Sequence, residues 1–302
     1  MKMKNIIIAA MMVLAMLTLN ACTSRTGDGG TRRKKIGVSL LARTDVFYRD
    51  MEDAMKEAAE KGGFDLIIQS GDKDLSKQQS QIENFIVQKV DAIILCPTDT
   101  QGIAPAIERA NKANIPVFTA DIAAGGGLVI SHIASDNIKG GRLAGEYVVQ
   151  ALQGKGKVGI LGHPEVQSVI DRENGFKEAV KTAEGITLIP TIAAGGKRDR
   201  ALKAAEDLIQ GNPDIKAIFC INDETALGAL SVVESRGLKD VIIVGFDAAP
   251  EAVEKIRAGT ALKADVAQQP KEIGRMAVEA VAKHLRGETV EKTIAVPVTL
   301  VQ

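Results

Sequence analysis

From residue 35 onward, short runs rich in Ile and Val alternate with helix-length segments whose apolar residues recur with a 3.6-residue period. The strand-like runs cover residues 36–41, 66–68, 92–95, 117–119, 129–133, 157–161, 217–220 and 241–244, and helical segments such as 46–62 and 75–89 lie between most of them. Ile, Val, Leu and Ala must form nearly all of the core, because the chain has no Trp, two Tyr and seven Phe. This alternation is typical of an α/β fold with doubly wound parallel sheets covered by helices.

The strand and helix rhythm occurs twice, over residues 36–118 and again over 157–244, without close sequence identity between the two segments. The chain beyond residue 35, about 270 residues long, also exceeds what one hydrophobic core usually serves. We therefore predict two similarly built lobes, with their junction near residues 135–140.

The N-terminus has the pattern of an export signal. Lys2 and Lys4 precede an uncharged apolar run over 6–19 that is too short to span a membrane comfortably. The run ends in Leu19-Asn20-Ala21-Cys22, which resembles a bacterial lipobox. We predict a lipoprotein signal peptide over 1–21, a lipid on Cys22 and an extracytoplasmic location. The alternative is a plain secretory signal cleaved near Ala21.

Residues 22–34 contain no apolar side chain to bury after the cysteine, so we expect a flexible tether that leads into the folded body. A formal net charge of zero argues against nucleic acid as a partner. We expect the membrane to be contacted only through the lipid anchor.

Polar side chains follow the predicted strands at the point where each strand ends. They are Asp45, Asp99, Asp121, Asn222, Asp247 and Gln268. Ligands of open parallel sheets bind at the carboxyl ends of the strands, and two such edges that face each other make a cleft. For Asp99 and Asp223 we favour helix capping over ligand contact.

Three strings in the sequence resemble ribose-binding proteins: residues 131–137 (Ser-His-Ile-Ala-Ser-Asp-Asn), 222–230 and 244–247 (Val-Gly-Phe-Asp). The resemblance implies a type I periplasmic binding protein whose two lobes, joined by three hinge strands, close on a small sugar or sugar-like polyol. It implies an N-terminal lobe of residues 35–135 with 269–297, and a C-terminal lobe of 136–268 with 298–302.

The same resemblance implies a monomer that delivers its ligand to the permease of an ABC transporter and is not an enzyme. A role in presenting ligand to a chemoreceptor or a sensor kinase stays open. An enzyme acting on a small carbohydrate is a weaker alternative, in which Asp121 and Asp247 would act as acid and base.

The family's ligand contacts fall on Asp45, Phe47, Tyr48, Asp121, Arg172, Asn222, Asp247 and Gln268, and Phe246 lies at a comparable strand end. Carboxylates accept hydrogen bonds from adjacent hydroxyls, and the arginine fork donates to two oxygens at once. Aromatic faces cover the C–H patches of a sugar ring. For one of the three aromatic residues we expect a role in the core.

Two positions depart from the ribose-binding pattern. Ile122 stands where those proteins carry an arginine, and the aromatic expected near Gly195-Gly196 is missing. Our hypothesis is that the ligand is not ribose: it lacks an oxygen that the arginine would meet, or is bulkier or less polar on that side. The surplus of carboxylates also leaves an amino-bearing ligand open.

We interpret the remaining motifs and residue types as structural features and not as binding sites. Residues 154–159 match G-x-G-x-x-G, but they precede a strand, so we interpret them as a turn and expect no cofactor. His132, His163 and His284 lack metal-ligand spacing, so we expect no metal site, and we favour a solvated role for His163. We interpret Cys96 and Cys220 as buried small hydrophobes.

Overall fold

The computed structural model describes residues 32–302, and Lys34–Gln302 forms one compact unit. Within the described part of the chain there are thirteen strands and nine helices. The strands are β1 (Lys34–Leu40), β2 (Phe64–Ser70), β3 (Ala92–Leu95), β4 (Val117–Ala120), β5 (Val129–Ser135), β6 (Lys155–Gly162), β7 (Gly185–Leu188), β8 (Ile192–Ala193), β9 (Ile215–Cys220), β10 (Ile242–Asp247), β11 (Leu262–Ala267), β12 (Thr293–Val296) and β13 (Thr299–Val301). The helices are α1 (Val46–Gly62), α2 (Leu75–Val87), α3 (Ala104–Lys112), α4 (Asn137–Ala151), α5 (Gln167–Val180), α6 (Arg198–Gly211), α7 (Asp223–Ser235), α8 (Pro250–Arg257) and α9 (Pro270–Leu285).

These elements form two sheets. The first has the order β12-β5-β4-β3-β1-β2 and is parallel throughout. The second has the order β13-β11-β10-β9-β6-β7, with β8 beside β6, and is parallel except for β13. The predicted fold class, an α/β fold with two lobes built on parallel sheets, is confirmed.

Helices cover both faces of each sheet with aliphatic side chains, as the composition requires. On the first sheet α1 and α9 pack on one face, and α2 and α3 on the other. On the second sheet α6, α7 and α8 pack on one face, and α4 and α5 on the other. Cys96 and Cys220 are free, fully buried thiols, so the interpretation of both as core residues is confirmed.

The chain passes between the two sheets three times: from β5 into α4, from β11 into α9, and from β12 into β13. Several predicted elements are longer or shorter than expected. The run predicted over 66–68 extends over Phe64–Ser70 because its outer residues continue the parallel pairing with β1. The helix predicted over 75–89 ends at Val87, two residues before Lys89 with its positive φ of 52°.

The predicted signal peptide, the lipidated Cys22 and most of the tether lie outside the described residues. None of the helices between residues 32 and 302 is both long and apolar enough to cross a membrane.

The helices α4 and α5 approach each other through two glycines. A Cβ on Gly141 would overlap the carbonyl oxygen of Arg172, and a Cβ on Gly175 would overlap the carbonyl oxygen of Ile138. Neither obstacle is a flexible side chain, so the two backbones must move apart if either glycine gains a methyl group.

We expect the Gly141→Ala variant to lower the free energy of unfolding by about 1–3 kcal/mol, the usual effect of overpacking. Urea denaturation would measure it. Gly211→Ala is the matched control, because a Cβ there meets nothing within 4 Å. The control should be neutral or slightly stabilising, since alanine favours the helix. Equal stability of the two variants would contradict the close approach.

Candidate functional site

The carboxyl ends of the two parallel sheets face each other across a cleft of about 600 Å³. This volume is in the range typical of small-molecule sites. Eight of the nine predicted site residues line the cleft: Asp45, Phe47, Tyr48, Asp121, Arg172, Asn222, Asp247 and Gln268. Asp45, Asp121, Asn222 and Gln268 follow strand ends, and Asp247 is the last residue of β10. Phe47 and Tyr48 lie in the first turn of α1, and α5 presents Arg172.

The guanidinium of Arg172 lies at the bottom of the cleft and is 4% exposed. Its Nε donates to Asn137 Oδ1 at 2.9 Å, and its Nη1 donates to the carbonyl of Ile221 at 2.6 Å. The same Nη1 is 3.7 Å from Asp247 Oδ1. Because a buried charge must be paired and hydrogen-bonded to be tolerated, these contacts fix the direction of the fork.

The prediction that Phe246 contacts ligand needs correction. Its ring is fully buried and does not line the cleft. The Arg172 guanidinium carbon lies 3.8 Å from the centre of this ring, so the ring supports the cation from below. Phe246 is therefore the aromatic residue that belongs to the core.

Asp121, in the loop after β4, and Tyr48, in the first turn of α1, form a buried pair. The Tyr48 hydroxyl donates to Asp121 Oδ2 at 2.6 Å, and the ring of Phe47 meets that of Tyr48 edge-on, with centroids 5.1 Å apart. Burial raises the pKa of Asp121, and the Arg172 guanidinium opposes that rise. Burial and the nearby Asp121 raise the pKa of Tyr48, which keeps its proton as a donor.

Asp247 and Gln268 form the corresponding pair in the second sheet. Gln268 Nε2 donates to Asp247 Oδ1 at 2.6 Å, whereas the buried Gln268 Oε1 has no hydrogen-bond partner among the described residues. Burial raises the pKa of Asp247, with Arg172 again opposing the rise. The cleft can therefore offer carboxylates, an amide and a guanidinium to a polyhydroxylated molecule.

The backbone is left-handed at both buried cleft carboxylates. Asp121 has a φ of 66°, Asp247 a φ of 116°, and the following Ala248 a φ of 54°. Side chains rarely adopt this region, and each such residue stores on the order of 1–3 kcal/mol that the surroundings must offset.

Two further carboxyl groups hold the turn after β10. Asp265 Oδ1 accepts from the Ala248 N–H at 2.9 Å, and Asp223 Oδ2 accepts from the Ala249 N–H at 2.6 Å. The remaining oxygens, Asp223 Oδ1 and Asp265 Oδ2, are buried and have no other hydrogen-bond partner among the described residues, and burial together with the neighbouring carboxyl raises the pKa of Asp223. This acid pair keeps Asp247 directed at Arg172.

The helix-capping prediction for Asp223 is therefore wrong. Asn222 caps α7 instead, because its Oδ1 accepts from the Thr225 N–H at 3.0 Å, while Asp223 lies inside the first turn. Asp99 does not cap a helix either, because the N-cap of α3 is Ile103. Asp99 Oδ1 accepts from the N–H groups of Gln101 and Gly102 in the turn before α3.

His163 also needs correction. It follows β6 and lines the cleft, with its Nε2 3.2 Å from Glu165 Oε2. Burial lowers the pKa of His163, so the ring is mainly neutral at pH 7. Because His163 directly follows a strand, its position in the sequence could have predicted that it lines the cleft. The sequence also did not point to Lys73, whose Nζ lies 3.2 Å from Asp45 Oδ2.

The two sheets also contact each other across the mouth of the cleft. The Thr100 N–H donates to the carbonyl of Glu165 at 3.2 Å, and the Gln167 N–H donates to Thr100 Oγ1 at 3.1 Å. Ile122, from the loop after β4, is 2% exposed and packs in the apolar cluster of the second sheet. These contacts hold the two strand edges close together.

Both a family profile and individual protein sequences match this chain over most of its length. The sequence profile of the family described as periplasmic binding protein domain matches residues 36–289. A ribose import binding protein of Bacillus subtilis is 35% identical over 301 residues, which cover 97% of each chain.

Solved structures of solute-binding proteins of ABC transporters have a similar fold. A solute-binding protein of an ABC transporter from Bacillus halodurans, with bound myo-inositol, has 33% identity and a TM-score of 0.83, with 92% of this chain and 96% of that chain covered. One from Agrobacterium vitis, with bound α-D-tagatopyranose, has 29% identity and a TM-score of 0.85, with 89% and 95% covered.

The acid pair predicts a pH-dependent stability. Burial raises the pKa of Asp265 to about 7 and raises that of Asp223 well above its usual value. The stability that the protonated pair contributes is fully present below the unfolded pKa of about 4 and is lost as the pH rises through the folded pKa values. Asp223→Asn does not titrate and still supplies an N–H donor to Asp265.

The Asp223→Asn variant should therefore gain stability relative to the wild type as the pH rises from about 4, the unfolded pKa, to about 7, the folded pKa of Asp265, by at most about 1.4 kcal/mol per pH unit. Urea denaturation across this range would measure the difference. Asp240→Asn is the control, because the Asp240 side chain is 86% exposed, and its difference from the wild type should stay flat. A flat difference for Asp223→Asn as well would rule out the protonated pair.

Proposed function

This chain belongs to the periplasmic binding protein family, and we propose that it captures a small sugar or sugar-like polyol in the cleft between its lobes for an ABC transporter. The resemblance of the sequence to ribose-binding proteins is confirmed. The family serves transport rather than catalysis. We propose accordingly that this chain is not an enzyme and returns its ligand unchanged.

One observation carries the proposal: two facing strand edges place carboxylates, a guanidinium and aromatic rings around one cleft of sugar-binding size. Asp121 comes from the first sheet, and Arg172 and Asp247 come from the second. A ligand that bonds to both sides lowers the free energy of the closed arrangement more than that of an open one, so it drives closure.

We propose that the closing bodies are residues 35–135 with 269–297, and 136–268 with 298–302. The three chain crossings between the sheets would act as the hinge. In the closed form, the bonds between Thr100 and the segment Glu165–Gln167 would hold the mouth shut. The closed monomer would then dock on the permease.

The proposal is tested by calorimetric titration with ribose, other pentoses, hexoses, inositols and their amino derivatives, and by X-ray scattering with each. We expect at least one member to bind with a dissociation constant near or below the micromolar range, about −8 kcal/mol, and to reduce the radius of gyration. If no member bound and none changed the scattering, the proposal would fail.

For the ligand that binds, Arg172→Lys should weaken affinity by about tenfold or more. One ammonium cannot replace the planar fork, which already donates to Asn137 and to the carbonyl of Ile221. Arg275→Lys is the matched control, because Arg275 pairs with Glu272 and Glu279 on α9. The site assignment would be wrong if Arg172→Lys bound within threefold of the wild type.

We further propose that Cys22 carries the lipid that anchors the protein outside the cytoplasm. Cells producing the Cys22→Ser variant should release the protein from the membrane fraction and should not incorporate labelled fatty acid into it. The matched Cys220→Ser variant should keep both properties, because Cys220 is a buried core thiol. Membrane retention of Cys22→Ser with full labelling would exclude this anchor.

A further inference from the structure

The floor of the cleft, which we define as Asp121, Arg172, Asp247 and Gln268, holds two carboxylates and one guanidinium. Asp121 and Arg172 are each 4% exposed, and the Asp247 side chain is 19% exposed. Arg172 is one cation beside two acids, and although it lowers the pKa of both, burial still raises the pKa of Asp121 and raises that of Asp247 well above its usual value. At this depth a charge is poorly screened, so the surplus carboxylate is unfavourable.

The other cations that line the cleft do not remove this surplus. Lys73 is paired with Asp45, and their side chains are 18% and 22% exposed. Lys197 and Arg200 are exposed residues at the start of α6, where water and salt screen them. Ile122 follows Asp121 directly and adds an apolar side chain at the floor.

The hydrogen-bonding groups at the floor also include more free acceptors than free donors. Two of the three nitrogens of Arg172 donate to Asn137 or Ile221. Tyr48 meets only Oδ2 of Asp121, and Gln268 meets only Oδ1 of Asp247. The buried Gln268 Oε1 accepts from no described residue. Free acceptors therefore outnumber free donors, and the floor is best matched by a group rich in donors.

We propose that the ligand of this cleft is an aminated sugar or polyol whose protonated amino group lies at the floor and compensates the surplus carboxylate. An ammonium supplies three donors and no acceptor, and it brings the missing positive charge. The ring hydroxyls would use Asn222 and the remaining donor of Arg172. This inference rests on the proposed sugar-binding function and specifies its ligand class.

The exposed Lys197 and Arg200 would instead attract a sugar acid. We favour the amine because exposed charges interact weakly with a ligand, whereas a buried, uncompensated carboxylate has a large effect on which ligand charge is tolerated. A sugar acid therefore serves as an arm of the test.

The experiment compares ligands of matched ring and different charge by calorimetry. D-Glucose is compared with D-glucosamine and D-glucuronate, D-galactose with D-galactosamine and D-galacturonate, and myo-inositol with an aminodeoxyinositol. We expect the amine to bind at least about tenfold more tightly than its neutral partner in at least one set, which corresponds to about 1.4 kcal/mol. The acids should bind most weakly.

Two variants test the cause of this preference. Asp121→Asn keeps the size of the side chain and an acceptor for Tyr48 but removes the charge, so the ratio of amine to neutral affinity should fall toward one. Ile122→Arg places a cation beside Asp121, so it should shift the preference to the neutral ligand. Circular dichroism and urea denaturation would show that each variant is folded.

The outcomes separate the two proposals. If neutral sugars bind as tightly as the amines or more tightly, or if the acids bind best, the charge inference is overturned and sugar capture stands. If the wild type prefers the amine but both folded variants keep that preference, the floor carboxylate is not its cause and the inference also fails. If no compound binds, sugar capture fails and the inference fails with it.

Discussion

The buried guanidinium of Arg172 is the interaction on which the cleft depends. Burying a charge is unfavourable unless it is paired and hydrogen-bonded, so the fold must place partners on most sides of the guanidinium. Asn137 of α4, the carbonyl after β9, the ring of Phe246 and the carboxylate of Asp247 each occupy one side. The close approach of α4 and α5 at Gly141 brings the first of these partners into reach.

A second set of contacts holds those partners in place. The backbone at Asp247 and Ala248 is left-handed, and the N–H groups of Ala248 and Ala249 bond to the acid pair Asp265 and Asp223. The free energy stored in that turn is offset by the hydrogen bonds behind it. The cleft is thus preorganised by hydrogen bonds within the protein that form before a ligand arrives, and this lowers the conformational entropy lost on binding.

The sequence predicted the parts of this arrangement that depend on local pattern. Strand-end residues such as Asp121 and Gln268 could be placed at the cleft because parallel strands bring their carboxyl ends to one edge. The acid pair could not be predicted, because Asp265 lies within the apolar strand β11 and meets Asp223 only through tertiary packing. Phe246 was misassigned because a side chain near the end of a strand can point either into the cleft or beneath its floor. In this fold the ring lies beneath the Arg172 guanidinium, a tertiary contact that the sequence does not show.

Ile122 connects the specificity of the cleft to its closure. An arginine at this position would add positive charge beside Asp121, whereas isoleucine leaves that carboxylate to Tyr48 and to the ligand. The same side chain is buried in the apolar cluster of the opposite sheet, so it adds hydrophobic contact between the lobes. Closure then depends less on polar bonds at this point of the cleft. The choice of ligand falls more heavily on the charge balance among Asp121, Asp247 and Arg172, because apolar contact does not discriminate between a hydroxyl and an ammonium, whereas a buried carboxylate does.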